Sequence, residues 1–436
     1  MSETAVVMGQ VPKQLQPTRS ALHFFGAEVR RLREQLRMSQ ADLGGLLFAH
    51  KDLIRKVEAA ERNPSEALVK HCDEVLGAAG RLRWMWPLLE RERLLRQARD
   101  PAGQTRAFVF HPGATDRPVL DWLLAPPRDT RQPDWNTEFD SPARERLQQL
   151  RRVGQVHGAG DAYPEVVAWL GHDLDALISH SPRTAIGFLE LAGYEAVDLG
   201  ADGVAQSHYL RALEIVTEGG DRLYGGYLIA VSLAHLALHR GDADQAARLA
   251  TAALHGTDQQ SSYAVRAAFR AVLARAHARR GDKAACAAAL LQVEADLSRR
   301  DFADEPSWIS YFGEADLADE KAHCLFDLGL HKLAQREGAR AIELMDPRRV
   351  RRLALDTALH AASLARSRAV EHACEVGYRA VDHAAQVASF RSAHRIALML
   401  AELQPYADLP MVRHLHEYVH SRLPAVVTLR QAARSP

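Results

Sequence analysis

At 436 residues, 47% hydrophobic and 25% charged, the chain has an ordinary globular composition and is too long for one compact core, so two or three domains are expected. Its 55 basic and 55 acidic residues cancel, which excludes a global polycation drawn to nucleic acid or membrane. No run approaches about 18 consecutive apolar residues, which excludes a membrane-spanning helix.

Charge is unevenly placed, however: residues 20–99 hold 15 Lys and Arg against 11 Asp and Glu. Cys72, Cys286, Cys324 and Cys374 are far apart and form no CxxC, which suits buried thiols in a reducing cytoplasm better than a disulfide frame or a zinc site. Residues 1–19 lack an apolar core long enough for a signal peptide and are expected to be a flexible leader.

Residues 20–99 then show consecutive helical signals. "FFGAEVRRLREQLR" sets Phe25, Val29, Leu32 and Leu36 on one face. Ser39 is an N-cap for the next helix, and in Asn63-Pro64-Ser65-Glu66 the asparagine is expected to cap, with Pro64 in the first turn. In "RLRWMWPLLERERLL", Pro87 marks a kink or the true start of a helix. Trp84, Met85, Trp86, Leu88 and Leu89 there offer either core or a dimer seam. Residues 100–140, dense in Pro, Asp and Gly with only "VLDWLL" helical, are expected to be a linker with local structure.

From 141 to 436 the chain is helical and repeats. Breaks fall at 198–203, 239–244, 279–284, 327–332 and 366–371, each between a small-residue helix and an Ala-rich one. Gly241-Asp242 and Gly281-Asp282 show the chemistry, with Gly closing one helix and Asp capping the next. Stacked hairpins of this kind give an α-solenoid, and the pattern resembles tetratricopeptide repeats with long units. The expected fold is therefore all-α: a five-helix helix-turn-helix head joined to a solenoid of tetratricopeptide-like hairpins.

"SQADLGGLLFAHKDLIRKVE", residues 39–58, carries the first functional signal. Leu43, Leu46, Leu47, Ile54 and Val57 are expected to face inward, leaving His50, Lys51, Asp52, Arg55 and Lys56 outward on the second of two short helices. A polar, outward face on a second helix is what major-groove reading requires. Gln40, one residue past the cap, is placed where its amide meets a phosphate or base edge. The longer pattern "LREQLRMSQADLGGLL…LIRKVEAAERNPS" resembles the Xre/lambda-repressor family of helix-turn-helix regulators over residues 22–80. The resemblance implies a structural Arg33–Glu58 pair, base reading by Lys51, Asp52 and Arg55, and phosphate contacts from Gln40 and Lys56. It also implies a double-stranded DNA operator and a homodimer. The chain departs from the family pattern at Phe48 in place of the turn glycine, at Gly44 and Gly45 inside the second helix, and at Ala60 beside Glu61.

Beyond residue 140, "RGDADQAARLATAALHG" and "WISYFGEADLADEKAHCLFDLGL" resemble actinobacterial regulators that join such a head to a helical-repeat array. That likeness implies a peptide or small-molecule effector. Candidate effector contacts are Trp308, Tyr311 and Glu314 in the widest repeat, and Arg266 with Arg270 one helical turn apart. The same aromatics could instead fill enlarged inter-helix space. "HEYVH", 416–420, matches the letters of a zinc-protease helix, but no His, Asp or Glu follows it to complete a site. His235 and His239 lack a Glu between them and are expected on a solvated helix face. No catalytic group, metal site or cofactor is expected, and the second reading kept open is a protein-interaction scaffold with a degenerate head.

Overall fold

The computed structural model describes residue 15 and residues 20–78, 80, 82–97, 110–125, 142–258, 260–302 and 305–423. Among the described residues all regular structure is helical. The head comprises α1 (Ala21–Gln35), α2 (Gln40–Leu46), α3 (Lys51–Glu58), α4 (Glu66–Val75) and α5 (Trp86–Gln97). After α6 (Asp116–Leu124), the array runs α7 (Pro142–His157), α8 (Ala159–His180), α9 (Pro182–Asp198), α10 (Asp202–Gly219), α11 (Arg222–Tyr227), α12 (Ala234–His239), α13 (Ala243–Thr257), α14 (Tyr263–Arg279) and α15 (Lys283–Ser298). It ends with α16 (Glu314–Asp327), α17 (His331–Leu344), α18 (Val350–Arg366), α19 (Val370–Ala385), α20 (Phe390–Glu402) and α21 (Pro410–Arg422). A π-helical stretch, Leu228–Leu233, joins α11 and α12 into one rod.

All five expected breaks are the turns inside hairpins, after α9, α12, α14, α16 and α18. Asp242 accepts the Gln245 N–H at 2.9 Å and Asp282 the Ala285 N–H at 3.0 Å, so the caps act as the sequence implies. Gly200, Gly241, Gly281 and Gly329 supply the left-handed residue in four of these turns. Arg368 occupies that place in the fifth, at φ 66°.

Capping in the head differs from the expectation at one helix. Ser65, not Asn63, caps α4, because its hydroxyl reaches the Leu68 N–H at 3.3 Å. Pro87 stands second in α5, where a missing N–H costs nothing. Met85, Trp86, Leu88 and Leu89 are buried inside the chain, so they form core rather than a seam; the Trp84 side chain lies outside the described residues, as does the leader apart from Leu15.

Part of the region expected to be a linker is ordered against the array. Residues 100–109 and 126–140 lie outside the described residues, but 110–125 is packed on the array. Trp122 is 1% exposed and rests on Gly225 and Gly256, where any Cβ would collide with its ring. The Arg222 guanidinium then closes the C-terminus of α6, donating to the carbonyls of Trp122, Leu123 and Ala125 at 3.0–3.2 Å. Gln206 exchanges two 2.9 Å hydrogen bonds with the backbone of His111. Composition signalled a loose tether, whereas two glycines and one arginine far downstream make it part of the array.

Inner helices α7, α9, α11–α12, α14, α16, α18 and α20 face one another, and the array curls until α18 touches α7 and α20 touches α9. Asp198 at the end of α9 receives Arg351 at 3.0 Å and the Ser389 hydroxyl at 2.7 Å. The head is seated beside this closure. The Trp86 indole N–H donates to the Gly160 carbonyl at 2.6 Å, and the Gly160 N–H to the Ala388 carbonyl at 3.0 Å. One apolar cluster accordingly runs from α1–α5 into α18–α21.

Candidate nucleic-acid interface

Two capped helices build the site. Ser39 and Asp42 form a reciprocal capping box at α2, with bonds of 2.8 and 3.1 Å. The backbone N–H of Ser39 holds the Asp42 carboxyl below its ordinary pKa. α3 is capped by His50, whose Nδ1 accepts the Asp52 N–H at 3.3 Å. The turn between them is tight. Ala49 N–H donates to the Gly44 carbonyl at 2.8 Å, and a Cβ on Gly44 would lie 2.6 Å from the Ala49 oxygen. Gly44 is therefore a close-approach residue and not merely a weak helix former. Phe48 takes the left-handed position of this turn at φ 52°, with its ring 96% exposed.

α3 crosses α1 at Gly26, where a Cβ would lie 2.6 Å from the Val57 oxygen. Ile54 and Val57, each 1% exposed, anchor α3 beneath, while Leu43 and Leu47 are buried from α2. Leu46 and Leu36 depart from expectation, at 51% and 47% exposed, because each falls at its helix C-terminus where the apolar stripe has turned outward. Lys51, Asp52, Arg55 and Lys56 all lie on the exposed side of α3, with His50 at its start.

Beneath this face lies a buried ion pair. Glu58 is fully buried; its carboxylate accepts Arg33 Nε at 2.5 Å and Arg33 Nη2 at 3.0 Å. Gln40 Nε2 also donates to Glu58, at 2.7 Å. The amide expected at a phosphate is therefore turned inward, where it positions α3. Arg55 Nη1 contacts Glu61 at 3.2 Å, so the outward arginine has a local anion beside it. Lys51 and Lys56 have no ion-pair partner among the described residues.

The five array residues singled out from sequence have local partners. Arg266 lies over the Tyr263 ring at 4.6 Å and 3.7 Å from Asp296, which also pairs with Arg270. Trp308 packs on Tyr224 and Tyr227 with ring centroids 5.3 and 4.9 Å away. Tyr311 meets Phe312 edge-on, and Glu314 pairs with Arg340 at 3.2 Å. His239 is exposed at the end of α12 and His235 is half-buried, near the expected helix surface, and each has an acidic neighbour. These are Glu320, 3.5 Å from His235, and Asp202, 3.6 Å from His239. Desolvation by the packed neighbours, with Arg391, Arg395 and Arg240 nearby, lowers the His239 pKa. His416 is half-buried on α21 while Glu417 and His420 are exposed, and among the described residues no three His, Cys, Asp or Glu side chains converge as metal ligands. No described helix is long and apolar enough to cross a membrane.

Comparison with curated proteins and with solved structures finds no match to this chain. A family model described as a helix-turn-helix domain matches residues 25–84, the stretch from Phe25 in α1 to the turn before α5. The capped α2, the tight turn and the exposed face of α3 all fall within that span, and residues 25–84 form a helix-turn-helix domain of DNA-binding type.

Proposed function

We propose that the chain is a sequence-specific transcription regulator of Xre/lambda-repressor type, acting in the cytoplasm as a homodimer on a double-stranded DNA operator. The observation that carries this reading is the side-by-side exposure of Lys51, Asp52, Arg55 and Lys56 above the buried Ile54 and Val57. Lys51, Asp52 and Arg55 read base edges; Lys56 holds phosphate with the helix N-terminus of α2, while the Gln40 side chain fixes the angle of α3. The tetratricopeptide-like array (141–436) is the sensor and dimerisation body. Its influence on the head passes through the Trp86–Gly160–Ala388 seat.

Selection of bound fragments from genomic DNA tests the proposal. A motif should emerge at physiological salt. Arg55→Ala should then cost about 1–3 kcal/mol and relax one base position, whereas Lys56→Ala should weaken all sequences alike and lower the salt slope by about one unit. A selection that enriches nothing refutes it. The second reading, a protein-binding scaffold whose head no longer reads DNA, is favoured by the Arg55–Glu61 contact and by the exposed Phe48 ring.

A further inference from the structure

The interior of the curled array is lined with charge, and its pairing is uneven. Arg275 lies 3.3 Å from Glu320, Arg279 2.6 Å from Asp327, and Arg351 3.0 Å from Asp198. Arg352 pairs with Asp319 and, at 3.3 Å, with Asp356. Every one of these cations on α14 and α18 thus has its carboxylate. On α20 the pattern breaks. Arg391 and Arg395, one turn apart and only partly exposed, have no carboxylate within ion-pair distance among the described residues.

Their surroundings make this costly. Asp198, the acidic group in the field of Arg391, is already bonded to Arg351 and to the Ser389 hydroxyl. Arg275 lies in the field of both α20 arginines, and Arg352 in that of Arg391. Burial and these like charges hold both guanidiniums below their ordinary pKa, Arg395 at about 10. Arg391 also stands in the first turn of α20, at the positive end of the helix dipole, which favours an anion over a cation. Two planar guanidiniums on one helix face match the oxygens of a phosphoryl or carboxylate group.

We propose that Arg391 and Arg395 form a binding site, inside the curled array, for a small, multiply charged anion bearing phosphoryl or carboxylate groups. The contacts of α20 with α9 and of α18 with α7 bound the interior laterally, which suits a compact anion better than an extended peptide. The site adjoins the head's seat, since Arg391 is three residues from Ala388. Its regulatory meaning rests on the sensor reading above, but its existence does not.

The test is calorimetric titration of the full chain, without DNA, using inorganic pyrophosphate in one arm and citrate in the other. Saturable binding is expected in at least one arm, and the arms distinguish the phosphoryl from the carboxylate source. Arg391→Gln with Arg395→Gln should weaken it about tenfold or more, while Arg413→Gln on the exposed side of α21 leaves it unchanged. The paired variant removes unpaired like charges, so its melting temperature should be no lower than that of the parent. Hydrogen exchange of the unmutated chain gives an independent readout, with pyrophosphate or citrate slowing amides of the first turns of α20. No saturable binding in either arm, equal affinity in the paired variant, or slowing confined to other helices overturns the proposal. Operator selection fails or succeeds separately, so the site and the regulator reading can be refuted independently.

Discussion

Replacing Glu58 tests how the head holds its outward helix. Glu58→Met removes the buried partner of Arg33, which is 8% exposed and would keep the Met38 carbonyl, at 2.7 Å, and the solvent-exposed Glu34 carboxylate, at 3.5 Å. Stranding a buried cation of this kind costs about 3–5 kcal/mol. Arg33→Met should cost less, about 2–4 kcal/mol, because Glu58 keeps the Gln40 amide at 2.7 Å and has the Arg30 guanidinium 3.9 Å away to move in. The double replacement puts two apolar side chains of similar length together and should lie within about 1 kcal/mol of the parent. A domain of this size has only about 5–10 kcal/mol in hand, so the Glu58 variant should open the head while the array stays folded. Native-state hydrogen exchange on the full chain reads this directly, with α1–α3 amides reporting the head and α14–α16 amides serving as internal control. If both single variants shift head opening by less than about 1 kcal/mol, or if the double variant equals the sum of the singles, the buried pair does not hold α3 and the reasoning fails.

Four further outcomes are expected. Arg368→Gly places the residue used in four sister turns at φ 66° and should raise array stability by about 1 kcal/mol in urea unfolding; a loss would mean the exposed arginine makes a compensating contact. Trp122→Ala should cost about 3–5 kcal/mol and abolish exchange protection of residues 112–125, since the ring is 1% exposed. Glu61→Gln removes the anion 3.2 Å from Arg55 and should tighten operator binding about two- to fivefold by fluorescence anisotropy. Burial lowers the His360 pKa to about 4, so the unfolded chain takes up its proton first as pH falls. The stability contributed by neutral His360 is therefore complete above pH 6.5 and lost towards pH 4, by up to about 1.4 kcal/mol per pH unit, and His360→Gln should flatten that part of the urea-midpoint profile.

The sequence by itself determined what rests on neighbours within a few residues. Gly-Asp pairs set the hairpin turns, because a left-handed residue followed by a side-chain cap needs no help from elsewhere. Ile54 and Val57 at helical spacing set which side of α3 is buried, and hence that Lys51, Asp52, Arg55 and Lys56 lie outward together. Tertiary structure decided what depends on the sum of small rotations between hairpins. Only that accumulated curl brings Asp198 to Arg351 and Ser389, His235 to Glu320, and Arg391 into the field of Arg275. Trp122 belongs to the same class, since its seat is made by glycines more than a hundred residues away. Local chemistry marks where the helices stop. It carries no record of which distant side chains the stacked helices will set side by side.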